Sequence, residues 1–257
     1  MKTYHIHIKG LVQGVGFRPH VYHKAENAGI TGWVSNTKDG VHIEFNAEEN
    51  TAQEFYSEII RVTPPNAIIT SHSIREVNKK TFNSFSITTG GGNVQSDLLL
   101  TPDFAICDEC KKEIMNSTDR RNHYPFTTCL HCGPRYSIIK ELPYERTNTT
   151  MAEMDMCNDC LNEYQDVHNR RHYSQTNSCK SCSIQMHLYE SGGREISNDS
   201  TEILKKINEA LHVGAVAAVK GIGGYLLLCD ATNENAINTL RHRKKRPVKP
   251  FALLYTD

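Results

Sequence analysis

Eight of the nine cysteines in this 257-residue chain lie between Cys107 and Cys182, in four C-x2-C pairs: Cys107/Cys110, Cys129/Cys132, Cys157/Cys160 and Cys179/Cys182. The intervals between pairs are 18, 24 and 18 residues. Two cysteines so spaced can turn both thiolates toward one point, and two such pairs form the tetrahedral four-sulfur cage that suits zinc. The second half repeats the first at an offset of 50 (157 − 107), and the match takes in Glu113 and Glu163, Arg120 and Arg170, Arg121 and Arg171. The repeat predicts one ion on Cys107, Cys110, Cys129 and Cys132, and a second on Cys157, Cys160, Cys179 and Cys182. Interleaved pairing, outer pairs with outer and inner with inner, stays open, since loop-closure entropy grows slowly with length. Four thiolates leave no position for substrate, so both ions are expected to be structural. Disulfides, redox dithiols and an iron–sulfur cluster are the alternatives. Disulfides are disfavoured because Met1-Lys2-Thr3-Tyr4 leads into a strand pattern, not the apolar region of a secretory signal. His123, His131 and His172 stand near enough in sequence to replace a sulfur ligand, though nothing requires it.

A second group of chemistry-bearing residues is Gln13-Gly14-Val15-Gly16-Phe17-Arg18. Glycines at 14 and 16 let the backbone curl into a nest of N–H groups that favours an anion. A cation at a helix N-terminus opposes the macrodipole, so Arg18 makes sense there if an anion shares the place and its planar fork clamps two oxygens. Taken alone, such a loop also reads as a plain turn. Asn36, near a hairpin end, also reads as a residue making local hydrogen bonds.

The elements that must position these groups follow from periodicity. Tyr4, Ile6 and Ile8 alternate with His5, His7 and Lys9, which predicts a half-buried strand. A helical pattern then runs to Gly29, with Pro19 in its first turn, and His20 and His23 are expected on its solvated face. Strands are predicted over 31–37 and 41–46, joined by a hairpin turn at Asp39-Gly40. A helix over 48–62 stops before Pro64-Pro65, and strands over 68–77 and 82–88 follow. The order is βαββαβ with a possible added strand, an α+β ferredoxin-like sandwich.

Val12-Gln13-Gly14-Val15-Gly16-Phe17-Arg18, with Gly32-Trp33-Val34-Ser35-Asn36 and Asp39-Gly40-Val41, resembles the acylphosphatase family over residues 1–90. The resemblance implies that Arg18 binds the phosphoryl group, that Asn36 orients the attacking water, and that backbone amides of Gln13, Gly14, Val15, Gly16 and Phe17 cradle the oxygens. No general base is evident, which fits catalysis by positioning and charge stabilisation.

Gly90-Gly91-Gly92 reads as a flexible joint. Beside the cysteines stand Arg120-Arg121, Tyr124-Pro125-Phe126 and Cys132-Gly133-Pro134-Arg135; after the last cysteine Ser183-Ile184 replaces Gly-Pro. Paired arginines either bind phosphate or serve solvated or intramolecular roles. The combination resembles the double zinc-finger-like module of the hydrogenase maturation carbamoyltransferases, the HypF family.

After a polar stretch from Ser191 to Asn198, Asp199 with Glu202 predicts a helix start, and Gly214 predicts its end. Val216 to Val219 reads as a buried strand, Gly221 to Tyr225 as a tight turn, and 233–246 as a helix with a cationic end that suits its dipole. Cys229, in an apolar run, reads as a small buried hydrophobe. Lys220-Gly221-Ile222-Gly223-Gly224-Tyr225, Cys229-Asp230-Ala231-Thr232 and the run from Lys244 to Ala252 resemble the start of the YrdC-like domain of the same family. The resemblance implies that Lys220, Lys245, Arg246 and Lys249 face ATP phosphates.

The expected organisation is therefore an acylphosphatase-like domain (1–90), a double four-cysteine zinc module (104–190) and a truncated α/β YrdC-like segment (200–257). The resemblance implies that the complete protein uses carbamoyl phosphate and ATP, makes carbamoyl adenylate, and passes the carbamoyl group to a HypE-type maturation partner. A zinc-dependent protein-binding module on an inert acylphosphatase scaffold is the alternative. Lys plus Arg (29) balances Asp plus Glu (29), which disfavours a nucleic-acid binder driven by phosphate contacts. No apolar run suggests a membrane span, and the chain reads as soluble and cytoplasmic.

Overall fold

The computed structural model describes residues 1–90, 98–182, 184–221 and 224–255. The readings made at Gly91, Gly92, Ser183, Ile222 and Gly223 lie outside the described residues. The chain divides into two compact units, Met1–Ile184 and Gln185–Asp257.

The first unit opens with β1 (Lys2–Leu11), α1 (Phe17–Asn27), β2 (Thr31–Thr37), β3 (Gly40–Ala47), α2 (Glu49–Arg61), β4 (Ile68–Val77) and β5 (Phe85–Thr89). The sheet order is β4-β1-β3-β2-β5, with the first four strands antiparallel to their neighbours and β5 parallel to β2. This is the expected ferredoxin-like sandwich with its added strand. Ile6, Ile8, Val34, Ile43 and Phe45 fill one face of the sheet, and Phe17, Val21, Ala25, Ala52, Phe55 and Ile59 meet them from the helices. Their three-to-four-residue spacing on α1 and α2 makes one apolar stripe per helix. The hairpin turn lies one residue earlier than expected: Thr37 pairs with Gly40, so Lys38 and Asp39 form the turn and Gly40 opens β3.

In the cysteine module, α3 (Asp108–Met115) and α4 (Asn158–Gln165) are equivalent helices of the two repeats. Each has a cysteine as its N-cap residue, Cys107 or Cys157, and a second cysteine one turn in. His123 and Tyr173, again 50 apart, both adopt left-handed backbone (φ 56° and 58°). Their amides return to the helix ends, at Ile114 and Tyr164. Pro, Thr and Asp of 101–103 are stitched down: Thr101 Oγ1 donates to the Gln13 carbonyl at 2.5 Å, and the Asp103 carboxylate accepts from the Arg135 amide at 2.7 Å.

The second unit holds a short ribbon of β6 (Leu188–Tyr189) and β7 (Glu195–Ser197), then α5 (Ser200–His212), β8 (Ala217–Gly221), β9 (Gly224–Leu228) and α6 (Glu234–Lys244). The Asp199 carboxylate caps α5 by accepting from the Glu202 amide at 2.8 Å. Three expectations are corrected here. β8 pairs only with β9 among the described residues, and its Ala218, Val219 and Lys220 are exposed, because two strands alone supply no second layer to cover them. Cys229 is half-buried, not buried. And α6 stops at Lys244, because Lys245 turns left-handed (φ 51°) and the Arg246 amide closes the end on the Arg241 carbonyl at 3.0 Å.

Candidate functional site

The four sulfurs of the first cage lie 3.7 Å (Cys107–Cys129), 3.8 Å (Cys129–Cys132) and 3.6 Å (Cys132–Cys110) apart. The second cage repeats this: 3.7 Å (Cys157–Cys179), 3.8 Å (Cys179–Cys182) and 3.6 Å (Cys182–Cys160). A tetrahedron with zinc–sulfur bonds of about 2.3 Å has edges of about 3.8 Å, so the donor set and its spacing fit zinc. Consecutive pairs share a cage, which removes the interleaved arrangement, and every cysteine is a free thiol, which removes disulfides. His123 and His131 are exposed, and His172 is buried against the Tyr22 ring at 5.7 Å, so none joins the sulfurs.

The paired arginines brace the repeats against each other. Arg120 and Arg121 reach the Glu163 carboxylate, each with a contact of 2.6 Å. Arg170 and Arg171 reach Glu113 reciprocally. The same guanidinium groups approach sulfur of the opposite cage, Arg120 to Cys160 at 3.3 Å and Arg170 to Cys110 at 2.7 Å. Positive charge beside a cage of four cysteines favours the thiolate form that a metal needs and orients it. Burial works against the charge on Glu163, yet Arg121 and Arg120 outweigh it and hold the carboxyl down to about 2. The role of these arginines is intramolecular.

The Gln13–Arg18 loop forms where β1 gives way to α1. Gly14 and Gly16 adopt left-handed backbone (φ 72° and 79°), which residues with a Cβ resist. Val15 and Phe17 turn into the core, so the glycines alternate toward the cavity side. Gln13 ties the loop to the β2–β3 hairpin, donating to the carbonyls of Thr37 (2.7 Å) and Gly40 (3.0 Å). Asn36 is buried; its Nδ2 donates to the Tyr144 carbonyl at 3.3 Å and its Oδ1 has no partner.

The segment between the cysteine repeats closes over this loop. The Tyr144 amide donates to Gln13 Oε1 at 2.8 Å, and Arg135 Nε donates to the Gly14 carbonyl at 2.5 Å while its other nitrogens bind carbonyls of the first cage's knuckle. Glu145 takes the Arg18 fork in a two-point ion pair, at 2.5 and 3.1 Å, with side chains 5% and 9% exposed. Arg18 also lies over the Tyr173 ring at 5.6 Å. Burial pushes the Glu145 carboxyl above its ordinary value, against the pull of Arg18. The cavity left between Gly14, Gly16, Arg18, Asn36 and Tyr144 is about 20 Å³. That is room for one water and not for a phosphoryl group. The cradle is thus formed, and its arginine is held by a carboxylate.

Sequence reasoning passed over Tyr144, Glu145 and Tyr173. The available signal was the interval between the two repeats, 24 residues where the others are 18, which marks a segment with a task outside the cages. His20 and His23 are not on a solvated face: His20 Nε2 is buried and the His23 ring lies 6.3 Å from His172. Farther along, Lys220 and Lys245 are exposed, Lys220 lying over the Tyr225 ring at 5.1 Å. Arg246 is spent on its own loop, donating to the carbonyls of Lys249 (3.3 Å) and Pro250 (3.0 Å).

Comparison with known proteins bears on these three regions in turn. The acylphosphatase family model matches residues 4–87, the HypF finger model 106–139 and 156–189, and the Sua5/YciO/YrdC model, described as telomere recombination, 209–257. The chain is 39% identical over 255 residues to the carbamoyltransferase HypF of Rhodobacter capsulatus, covering 99% of this chain and 33% of that protein. Over nearly its whole length the chain resembles the HypF carbamoyltransferases. It spans about a third of the length of the curated HypF relatives it matches. A crystal structure of full-length HypF in the phosphate- and nucleotide-bound form matches with a TM-score of 0.88 at 37% identity, over 98% of this chain and 32% of that one. The N-terminal region alone is 42% identical over 89 residues to the acylphosphatase of Ligilactobacillus salivarius (strain UCC118), 34% of this chain and 99% of that protein. Among the described residues, no helix is long and apolar enough to cross a membrane.

Proposed function

We propose that this chain carries the carbamoyl-phosphate-hydrolysing end of a HypF-type carbamoyltransferase. The observation that supports this is the gathering of Arg18, the two left-handed glycines and a buried Asn36 with a free Oδ1 around one cavity. Arg18 binds two phosphoryl oxygens through its planar fork, the place now filled by the two oxygens of Glu145. Backbone amides of Gln13 to Phe17 take the developing negative charge. Asn36 Oδ1 accepts a hydrogen bond from water and aims its oxygen at phosphorus. The oxygen–phosphorus bond forms as the bond to the bridging oxygen breaks. Carbamate leaves with that oxygen, and the water's proton passes to an oxygen of the products.

Substrate must displace Glu145, so the segment carrying it acts as a lid. Both sulfur cages hold zinc, which fixes the base of that lid. In the complete protein, carbamate is activated with ATP as carbamoyl adenylate, for which Lys220, Lys245, Arg246 and Lys249 are the candidate phosphate contacts. The carbamoyl group then passes to a HypE-type partner.

Phosphate release from carbamoyl phosphate tests this. Arg18→Ala is expected to lose on the order of a hundredfold or more in kcat/KM, and Glu145→Gln to lower KM. Equal rates for the parent and Arg18→Ala overturn the reading. The buried Arg18–Glu145 pair favours one rival, in which the acylphosphatase fold is an inert scaffold for a zinc-dependent binding module. That rival predicts no hydrolysis by the parent or by Glu145→Gln.

A further inference from the structure

On the sheet face opposite the apolar core, β1 and β3 bring three imidazoles and a carboxylate together. His5 and His7 are outward residues of β1, alternating with Tyr4, Ile6 and Ile8, and His42 pairs with His7 across the β1–β3 ladder. Alternation along a strand makes this automatic once the isoleucines face inward. Asp39 arrives from the hairpin turn. His42 Nε2 lies 3.1 Å from Asp39 Oδ1 and His7 Nε2 lies 3.6 Å from Asp39 Oδ2, so both rings aim the same nitrogen at one carboxylate. The rings of His7 and His42 are stacked, with centroids 4.2 Å apart. All three side chains are half-buried, 18–23% exposed.

We infer that His7, His42 and Asp39 form a third metal site, for a borderline divalent ion of the zinc type, separate from both sulfur cages. Ligands bonded at about 2.0–2.2 Å to one ion stand about 3–4 Å from each other, which the carboxylate-to-imidazole distances meet without moving the backbone. Two imidazoles and a carboxylate suit zinc, nickel or copper, and three protein ligands leave one position open to solvent. The surroundings already orient the donors. Thr37 Oγ1 donates to Asp39 Oδ1 at 2.6 Å, and His42 Nδ1 lies 2.9 Å from His5 Nε2. With an ion on His42 Nε2, the His42 proton must sit on Nδ1 and donate to His5, the kind of outer partner that fixes a ligating histidine. Without an ion, Nε2 carries the proton toward Asp39 and His5 donates instead. Metal therefore swaps the tautomers of two rings at once. His7 Nε2 also meets the Asp39 carbonyl oxygen at 3.0 Å, a bond the ion would replace.

The test uses the whole chain with two zinc equivalents already bound to cysteine. Zinc alone is then titrated by calorimetry, and imidazole nitrogen resonances are followed by NMR. One further equivalent should bind, and the ring signals of His42 and His5 should exchange tautomer patterns together. His7→Gln and His42→Gln should each weaken that third event by on the order of tenfold or more while leaving two zinc per chain. Asp39→Asn should weaken it also. A parent that takes up no third equivalent overturns the proposal, whatever the variants do. So does a third equivalent that survives both histidine substitutions, or that binds without altering the His42 ring.

Discussion

The sandwich built from β1 to β5 buries a continuous apolar core, from Tyr4 through Ile43 to Ile59, whereas the cysteine module beside it buries sulfur, guanidinium and carboxylate. Among the described residues its buried apolar side chains are the cysteines themselves, Tyr124 and a small patch around Ile138, Tyr144 and Met151. The first region is held by area removed from water, which is non-directional and tolerant. The second is held by a few directional bonds, each costly to lose. The two meet at Gln13, Gly14 and Arg18, so a site shaped by one kind of stability is closed by the other.

Metal removal should break the comparison most sharply. Stripping zinc with a chelator, or Cys110→Ser, should unfold the module, since structural zinc supplies roughly 10 kcal/mol or more of folding free energy. Amide exchange should then quicken across α3 and α4 while β1 and β3 stay protected; simultaneous loss in both would show that the sandwich depends on the module. Phe45→Ala should act oppositely, costing about 3–5 kcal/mol in the sandwich by urea unfolding, with both zinc ions retained. Glu163→Gln should cost about 2 kcal/mol, the scale of hydrogen bonds to charged groups, and loosen zinc at Cys160, from which Arg120 would lose its orientation. A chelator-competition assay that finds zinc affinity unchanged would remove the brace as a tuning device.

The mildest effect sharpens the comparison at the boundary. Glu145 has its folded carboxyl raised by burial, so its neutral form is populated from above the usual carboxylate range as pH falls. A neutral Glu145 grips Arg18 less. The rate advantage of Glu145→Gln over the parent should therefore shrink on acidification and be full at neutral pH. A ratio that does not change with pH would separate Glu145 from the lid.

What the sequence made legible was local. Strand alternation at Tyr4, Ile6 and Ile8, the two left-handed glycines and the C-x2-C spacings each rest on neighbours within a few residues. The repeat then extended that reach, because equal intervals favoured consecutive pairing of the cysteines. The Arg18–Glu145 contact spans 127 positions and leaves no periodic trace. β8 misled because an apolar run names a preference for burial without supplying the layer that satisfies it. The turn at Lys38–Asp39 escaped by one residue, since Asp-Gly marks a hairpin without saying which side of the turn the glycine takes.

The exchange of arginines and glutamates between the cysteine repeats has the logic of a two-fold homodimer written into a single chain: what one copy offers, the other accepts, and the reverse. An isolated half would keep its sulfurs but present two unmatched guanidinium groups and one unmatched carboxylate. Such a peptide should self-associate into a pair that restores both exchanges.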